Sequence, residues 1–149
     1  MSYVDWNDRM LVHIPEIDEQ HKELVSMINR LHESLLAGEG NRSVKSAISF
    51  LMQYVLIHFS AEEHLMRDNA FPDYKEHKRR HDEYVERLKG FITKYKSNTP
   101  LLAREMLLFL GDWARNHISG VDMDYAPYIQ KKLNITVADK SRNMHKDPL

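Results

Sequence analysis

Seven side chains limit this chain to few architectures: His21, His58, Glu62, His77, His81, His117 and Asp122, spread over four segments of helical periodicity. In an up-down-up-down four-helix bundle, the first and third helices begin at the end where the second and fourth finish. His21 lies at the start of the first predicted helix, and His58 with Glu62 late in the second. His77 and His81 come early in the third, and His117 with Asp122 late in the fourth. All seven therefore fall in one layer near one end. Residues four apart on an α-helix are only about 40° apart around its axis, so His58 with Glu62, and His77 with His81, can each face one centre.

The apolar pattern predicts the same all-α bundle independently. Leu24, Ile28, Leu31 and Leu35 line the first helix, and Ile48, Leu51 and Val55 the second; Val85, Leu88 and Ile92 line the third, and Met106, Leu110 and Trp113 the fourth. Each set follows three-and-four spacing, and no alternating strand pattern competes. Residues 1–17, with aromatic and β-branched side chains and Pro15, read as an extended N-terminal arm laid across the bundle. Asp18 is the expected N-cap of a first helix over about 18–37, stopped by Ala37-Gly38-Glu39-Gly40. The second helix is expected over about 41–69 and the third over about 73–96, behind Phe71-Pro72 and an Asp73 cap. The fourth runs from about 100 toward 131, with Pro100 in its first turn. The bundle is thus bounded as 18–131, and the polar stretch 132–149, which has no periodicity, is expected to be a flexible C-terminal tail.

Composition narrows the chemistry. At 149 residues the chain is one domain by size. It has no cysteine, which excludes thiolate metal sites, iron–sulfur clusters and disulfides. A formal net charge of -1, with both signs interspersed, gives no field for nucleic acid or anionic lipid. The opening MSYVDWNDRM lacks the pattern of a signal peptide and no run is expected to span a membrane, so a cytoplasmic location without membrane insertion is expected.

Either histidine pair alone is weak, because nine histidines make a chance pairing common. Convergence on one layer is the stronger signal. Burying five imidazoles and two carboxylates without a metal leaves several groups unpaired, at about 1–3 kcal/mol each. Imidazole and carboxylate ligands suit iron, manganese or zinc, and a bridging carboxylate suits two ions held together. If Glu62 and Asp122 both bridge, the seven side chains fill roughly nine of the twelve positions of two octahedra. A solvent bridge takes two more, which leaves about one position open for a small ligand.

The segments Ile17-Asp18-Glu19-Gln20-His21-Lys22, His58-Phe59 through Glu62-Glu63, His77 through His81, and His117-Ile118 through Asp122 resemble the signature of the hemerythrins, in particular the bacterial hemerythrin domains. The resemblance covers roughly residues 3–131 and includes every candidate ligand. It implies two non-haem irons with an oxo or hydroxo bridge that bind O2 reversibly, in a carrier, store or sensor and not an enzyme. By that resemblance His77, His81 and His117 hold one iron, His21 and His58 hold the other, and Glu62 and Asp122 bridge. The two-histidine iron carries the open site, within an apolar pocket of Leu24, Phe59, Trp113, Ala114 and Ile118. Ala114 stands where relatives often carry a larger aliphatic residue, so an opening for water and small anions such as azide is expected beside it. His13 stands where bacterial members often have glycine, and is not expected to be a ligand.

Other polar residues read more simply. His32 is expected to face inward as a hydrogen-bonded core histidine, His64 to face solvent, His145 to lie in the tail, and Lys78-Arg79-Arg80 to form a wet helix face. A ferritin-like oxidase or iron-handling protein is the alternative function, but its Glu-x-x-His pairs are missing. A metal phosphohydrolase built on His81-Asp82 is disfavoured because neighbours on a helix diverge by about 100°. His117 and Asp122 are five apart, about 140° around a regular helix, so an irregular π-type turn is expected near Gly120.

Overall fold

The structure, a computed structural model, describes residues 2–97 and 101–132. Four long helices form the bundle: α1 (Pro15–Leu36), α2 (Gly40–Asp68), α3 (Tyr74–Lys96) and α4 (residues 102–132). No strand occurs among the described residues. The start of α1 meets the late part of α2 through His21 and His58, the head-to-tail alternation expected of an up-and-down bundle. Pro100 and the tail from residue 133 onward, with His145, lie outside the described residues; Lys132 is still helical.

The first helix begins at Pro15, not at Asp18, and Ile14 occupies the cap position. Proline is pre-set for a first helical turn, so the helix starts three residues before the acidic residue read as its cap. Asp18 acts differently: its Oδ1 accepts the backbone N–H of Val12 at 2.8 Å, tying the arm to the helix from within the first turn. The arm therefore ends at residue 14 rather than 17, and a short 3-10 turn at Asp8–Met10 interrupts its extended course. Asn29 holds it at the other end, accepting from the Tyr3 and Val4 amides and donating to the Val4 carbonyl, each at 2.9 Å.

Helix stripes determine where the core sits. On α3, His77, His81, Tyr84, Leu88 and Phe91 are the buried residues, a strict four-three-four-three alternation. The expected Val85 and Ile92 are only half-buried, because the aromatic residues preceding them occupy the seam that the two histidines begin. On α2 the buried seam reads Tyr54, His58, Glu62 and Met66, three successive steps of four. On α4 it reads Leu110, Ala114, Ile118 and Asp122, again three steps of four. Each such step advances about 40° around a regular α-helix, so both seams would wind off the core. A π turn absorbs the surplus residue, and one occurs in each helix, at Val55–Phe59 in α2 and at Ala114–Val121 in α4. The irregularity expected near Gly120 is the second of these.

Two apolar clusters flank the polar layer. The larger fills the bundle below it, from Leu24 and Ile28 to Met106 and Leu110, and the smaller caps it with Ile17, Met66, Phe71, Tyr125 and Ile129. This sandwich explains why a layer near one end of the bundle is almost sealed from solvent. One compositional expectation is corrected: α2 is, by length and composition, long and apolar enough to cross a membrane. Its inward face nevertheless carries His58 and Glu62 and packs on the other helices, as the core helix of a bundle does.

His13 adopts φ 62°, in the left-handed region that costs a residue with a β-carbon about 1 kcal/mol or more. The junction between arm and helix imposes that conformation, which glycine adopts without strain. His13→Gly is expected to raise the stability to urea by up to about 1 kcal/mol. An unchanged or lowered unfolding midpoint would show that the imidazole makes contacts that offset the strain.

Candidate metal centre

The bundle brings all seven expected ligands together. His21, Glu62 and Asp122 are 0% exposed, and His58, His77, His81 and His117 at most 5%. They form two groups: His77, His81 and His117 with Glu62 and Asp122, and His21 and His58 with the same two carboxylates. Within each group the candidate ligand atoms all lie within 4.8 Å of one another.

Atomic distances show how the carboxylates are shared. Asp122 Oδ1 lies 2.9 Å from His117 Nε2 and 3.0 Å from His77 Nε2, while its Oδ2 lies 3.1 Å from His21 Nε2. One oxygen therefore faces each histidine group. Glu62 Oε1 sits between the groups, 3.2 Å from both His58 Nε2 and His81 Nε2. His21 Nε2 and His58 Nε2 approach to 3.1 Å. Ligands bound about 2.1 Å from one ion at right angles are about 3.0 Å apart, the edge these pairs describe.

A metal also accounts for the polar atoms left over. The buried Nε2 atoms of His77, His81 and His117, with Glu62 Oε1 and both oxygens of Asp122, have no partner in well-formed hydrogen bonds. Such a cluster of orphans is costly in a bundle core and is removed by ligation. No lysine or arginine approaches Glu62 or Asp122 within 4 Å among the described residues, so histidine is their only ion-pairing partner there. Burial works against charge on His21 and His77, but Asp122 and Glu62 override it and lift the two imidazoles to about 9 and about 10. Burial pushes His58 the other way, below its ordinary value. Burial likewise opposes charge on both carboxyls, yet the surrounding imidazoles hold them well below the usual carboxylate range. The donor set of imidazole and carboxylate fits iron.

Groups outside the ligand set orient it, and the sequence reading had not singled them out. Tyr125 donates its hydroxyl to Glu62 Oε2 at 2.5 Å. Gln20 Oε1 lies 2.6 Å from His58 Nδ1, and Glu63 Oε2 lies 2.9 Å from His81 Nδ1. These bonds direct the ε-nitrogens inward by holding the opposite side of each ring. Spacing offered a signal for one of them: Tyr125 continues the seam one turn beyond Asp122.

Aromatic rings cover the three-histidine group. Phe59 stacks on His81 with centroids 3.8 Å apart and an interplanar angle of 3°, and Trp113 stacks on His117 at 3.9 Å and 11°. Of the expected pocket residues, Leu24, Phe59, Ala114 and Ile118 are buried in the main core, and Trp113 is half-buried beside it. Ala114 is fully buried. A cleft reaching a candidate ligand opens on another face of α4, at Trp113, Asn116 and His117.

The remaining polar residues sort cleanly. His64 is exposed and bonds the Ser60 carbonyl. Lys78, Arg79 and Arg80 form the expected wet face, and Asp82, 64% exposed, pairs with Lys78 rather than joining the site. His32 departs from its expected role: it is half-buried against the Tyr3 ring at 4.9 Å, and its buried Nδ1 has no hydrogen bond among the described residues. The arm, whose position the helical pattern does not encode, puts Tyr3 where a polar partner was expected.

Removing the Tyr125 hydroxyl tests the orienting network. Tyr125→Phe is expected to weaken iron binding by about 10- to 100-fold while the helix content stays unchanged. Undiminished affinity in a competition with a chelator would show that Glu62 is held without it.

A family model described as the hemerythrin HHE cation binding domain matches residues 12–129. A bacteriohemerythrin of Pseudomonas aeruginosa is 30% identical over 141 residues, spanning 95% of this chain and 91% of the relative. A hemerythrin-like protein of Naegleria gruberi is 35% identical over 124 residues, spanning 83% of this chain and 92% of its own. The crystal structure of wild-type hemerythrin superposes with a TM-score of 0.72 at 26% identity, covering 86% of this chain and 98% of that one. Fold, buried ligand layer and sequence agree: the chain belongs to the hemerythrin family.

Proposed function

We propose that this chain binds O2 reversibly at a non-haem di-iron centre and works as a carrier, store or sensor rather than an enzyme. His77, His81 and His117 hold one iron, His21 and His58 the other, and Glu62 and Asp122 bridge them. The observation that carries the reading is the unequal division of the ligands: the groups share two carboxylates, but one has three histidines and the other two. The poorer group is where a small ligand finds a place. When bound, the iron pair supplies electrons for reversible O2 uptake.

The chain's own residues do the rest. Glu62 and Asp122 hold both groups at one spacing, and Tyr125 fixes Glu62 from the far side. Leu24, Phe59, Ala114 and Ile118 wall the layer with apolar surface, keeping bulk water and its protons away. Only two of the seven ligand side chains are carboxylates, so high-valent iron gains little anionic stabilisation, which favours reversible binding over oxidation of a substrate. Small anions such as azide compete for the same open position, and a cytoplasmic location fits the cysteine-free sequence.

Iron analysis of the purified chain is expected to give about two irons per chain. The reduced protein should take up O2 on exposure and return it under vacuum, without stoichiometric peroxide. A single bound zinc, or irreversible oxidation by the first equivalent of O2, contradicts the proposal.

A further inference from the structure

One helical turn inward from the ligands lies a second layer of side chains. Leu24 comes three residues after His21, Tyr54 four before His58, Tyr84 three after His81 and Ala114 three before His117. All four are buried in the main core. Two of them are phenols, and neither hydroxyl has a hydrogen-bond partner among the described residues. A buried hydroxyl without a partner is costly, and this pair stands in the otherwise apolar wall of the metal layer.

The two phenols are not equivalent. Tyr54 and His58 lie on the inward seam of α2, and the π turn at Val55–Phe59 falls between and around them. Their rings stack with centroids 4.7 Å apart and an interplanar angle of 26°. A phenol is longer than an imidazole, so the Tyr54 hydroxyl reaches past the His58 ring toward the bundle axis, beneath the two-histidine group. Burial pushes this phenol well above its ordinary value, and the negative charges of Glu62 and then Asp122 add to the effect. Burial alone raises Tyr84, which packs on Phe59, Phe109 and Trp113. The field of the carboxylates thus distinguishes a phenol that faces the layer from one that does not. A third phenol, Tyr125, is already engaged with Glu62, and the Nδ1 of His58 is engaged with Gln20, so neither meets the Tyr54 hydroxyl.

We propose that Tyr54 is a ligand-binding residue. Its hydroxyl donates a hydrogen bond to the small molecule at the open position of the two-histidine group, and so selects ligands that carry or gain negative charge there. This inference rests on the di-iron reading above. Azide carries such a charge, and O2 draws electron density from reduced iron. Because the hydroxyl has no acceptor within the protein, no internal bond is broken when it turns to a ligand, and the new bond counts fully in affinity.

The test compares the iron-loaded full chain with Tyr54→Phe, which removes the hydroxyl and keeps the ring, and with Tyr84→Phe as the matched control. Titration of the diferric protein with azide, followed by absorbance, should give a Kd about tenfold higher in Tyr54→Phe, the loss of one hydrogen bond to a charged acceptor. The infrared stretch of the bound azide should shift in the same variant, and O2 release from the oxygenated protein should quicken by a similar factor. Tyr84→Phe should leave all three unchanged, with iron and helix content in both variants equal to those of the unaltered chain. Unchanged azide affinity and stretch in fully loaded Tyr54→Phe overturns the assignment, as does an equal effect of Tyr84→Phe. Loss of iron from Tyr54→Phe also overturns it, because the hydroxyl would then support the metal layer and not its ligand. An unaltered chain that takes up no iron pair overturns the di-iron reading and this inference together.

Discussion

Glu62 and Asp122 carry two negative charges into the middle of a helical bundle where each is fully buried and no lysine or arginine among the described residues reaches them. An isolated buried carboxylate is among the most expensive groups a fold can contain. Here the cost is met by five imidazoles from four helices, and those imidazoles in turn leave ε-nitrogens without partners. Neither half of the layer is self-sufficient. Divalent cations would complete both, so ligation and folding are expected to be coupled in this chain.

The rest of the structure follows from delivering these groups to one plane. α1 and α3 alternate steps of four and three and can remain regular, because that alternation tracks one side of an α-helix. α2 and α4 take three steps of four in succession and accommodate the surplus as π turns, placed at His58 and at His117. Both irregularities thus sit on ligand-bearing turns, where a functional demand outweighs regular hydrogen bonding. Apolar clusters above and below then seal the layer, and the ring faces of Phe59 and Trp113 fix the planes of His81 and His117.

Much of this was legible in the sequence, because helical periodicity encodes which side of a helix faces inward. The four helices and the seven side chains of the buried polar layer follow from spacing, and the five-residue interval from His117 to Asp122 exposed the π turn of α4. The matching turn of α2 was missed because His58 and Glu62 are four apart, which a regular helix allows; only the longer run from Tyr54 to Met66 reveals the surplus. Contacts made by the arm were not legible. Asp18 resembles an N-cap, yet Pro15 starts the helix and the carboxylate bonds Val12 instead. The orienting roles of Tyr125, Gln20 and Glu63 were not legible, because they depend on which atom of Glu62, His58 or His81 each meets, a matter of tertiary distance.

If one buried layer holds two metal ions bridged by the same pair of carboxylates, X-ray absorption at the iron edge of the loaded protein will detect both. Nitrogen and oxygen neighbours only are expected, with a second iron at about 3.5 Å. A spectrum of fully loaded protein without an iron neighbour at that range would contradict it.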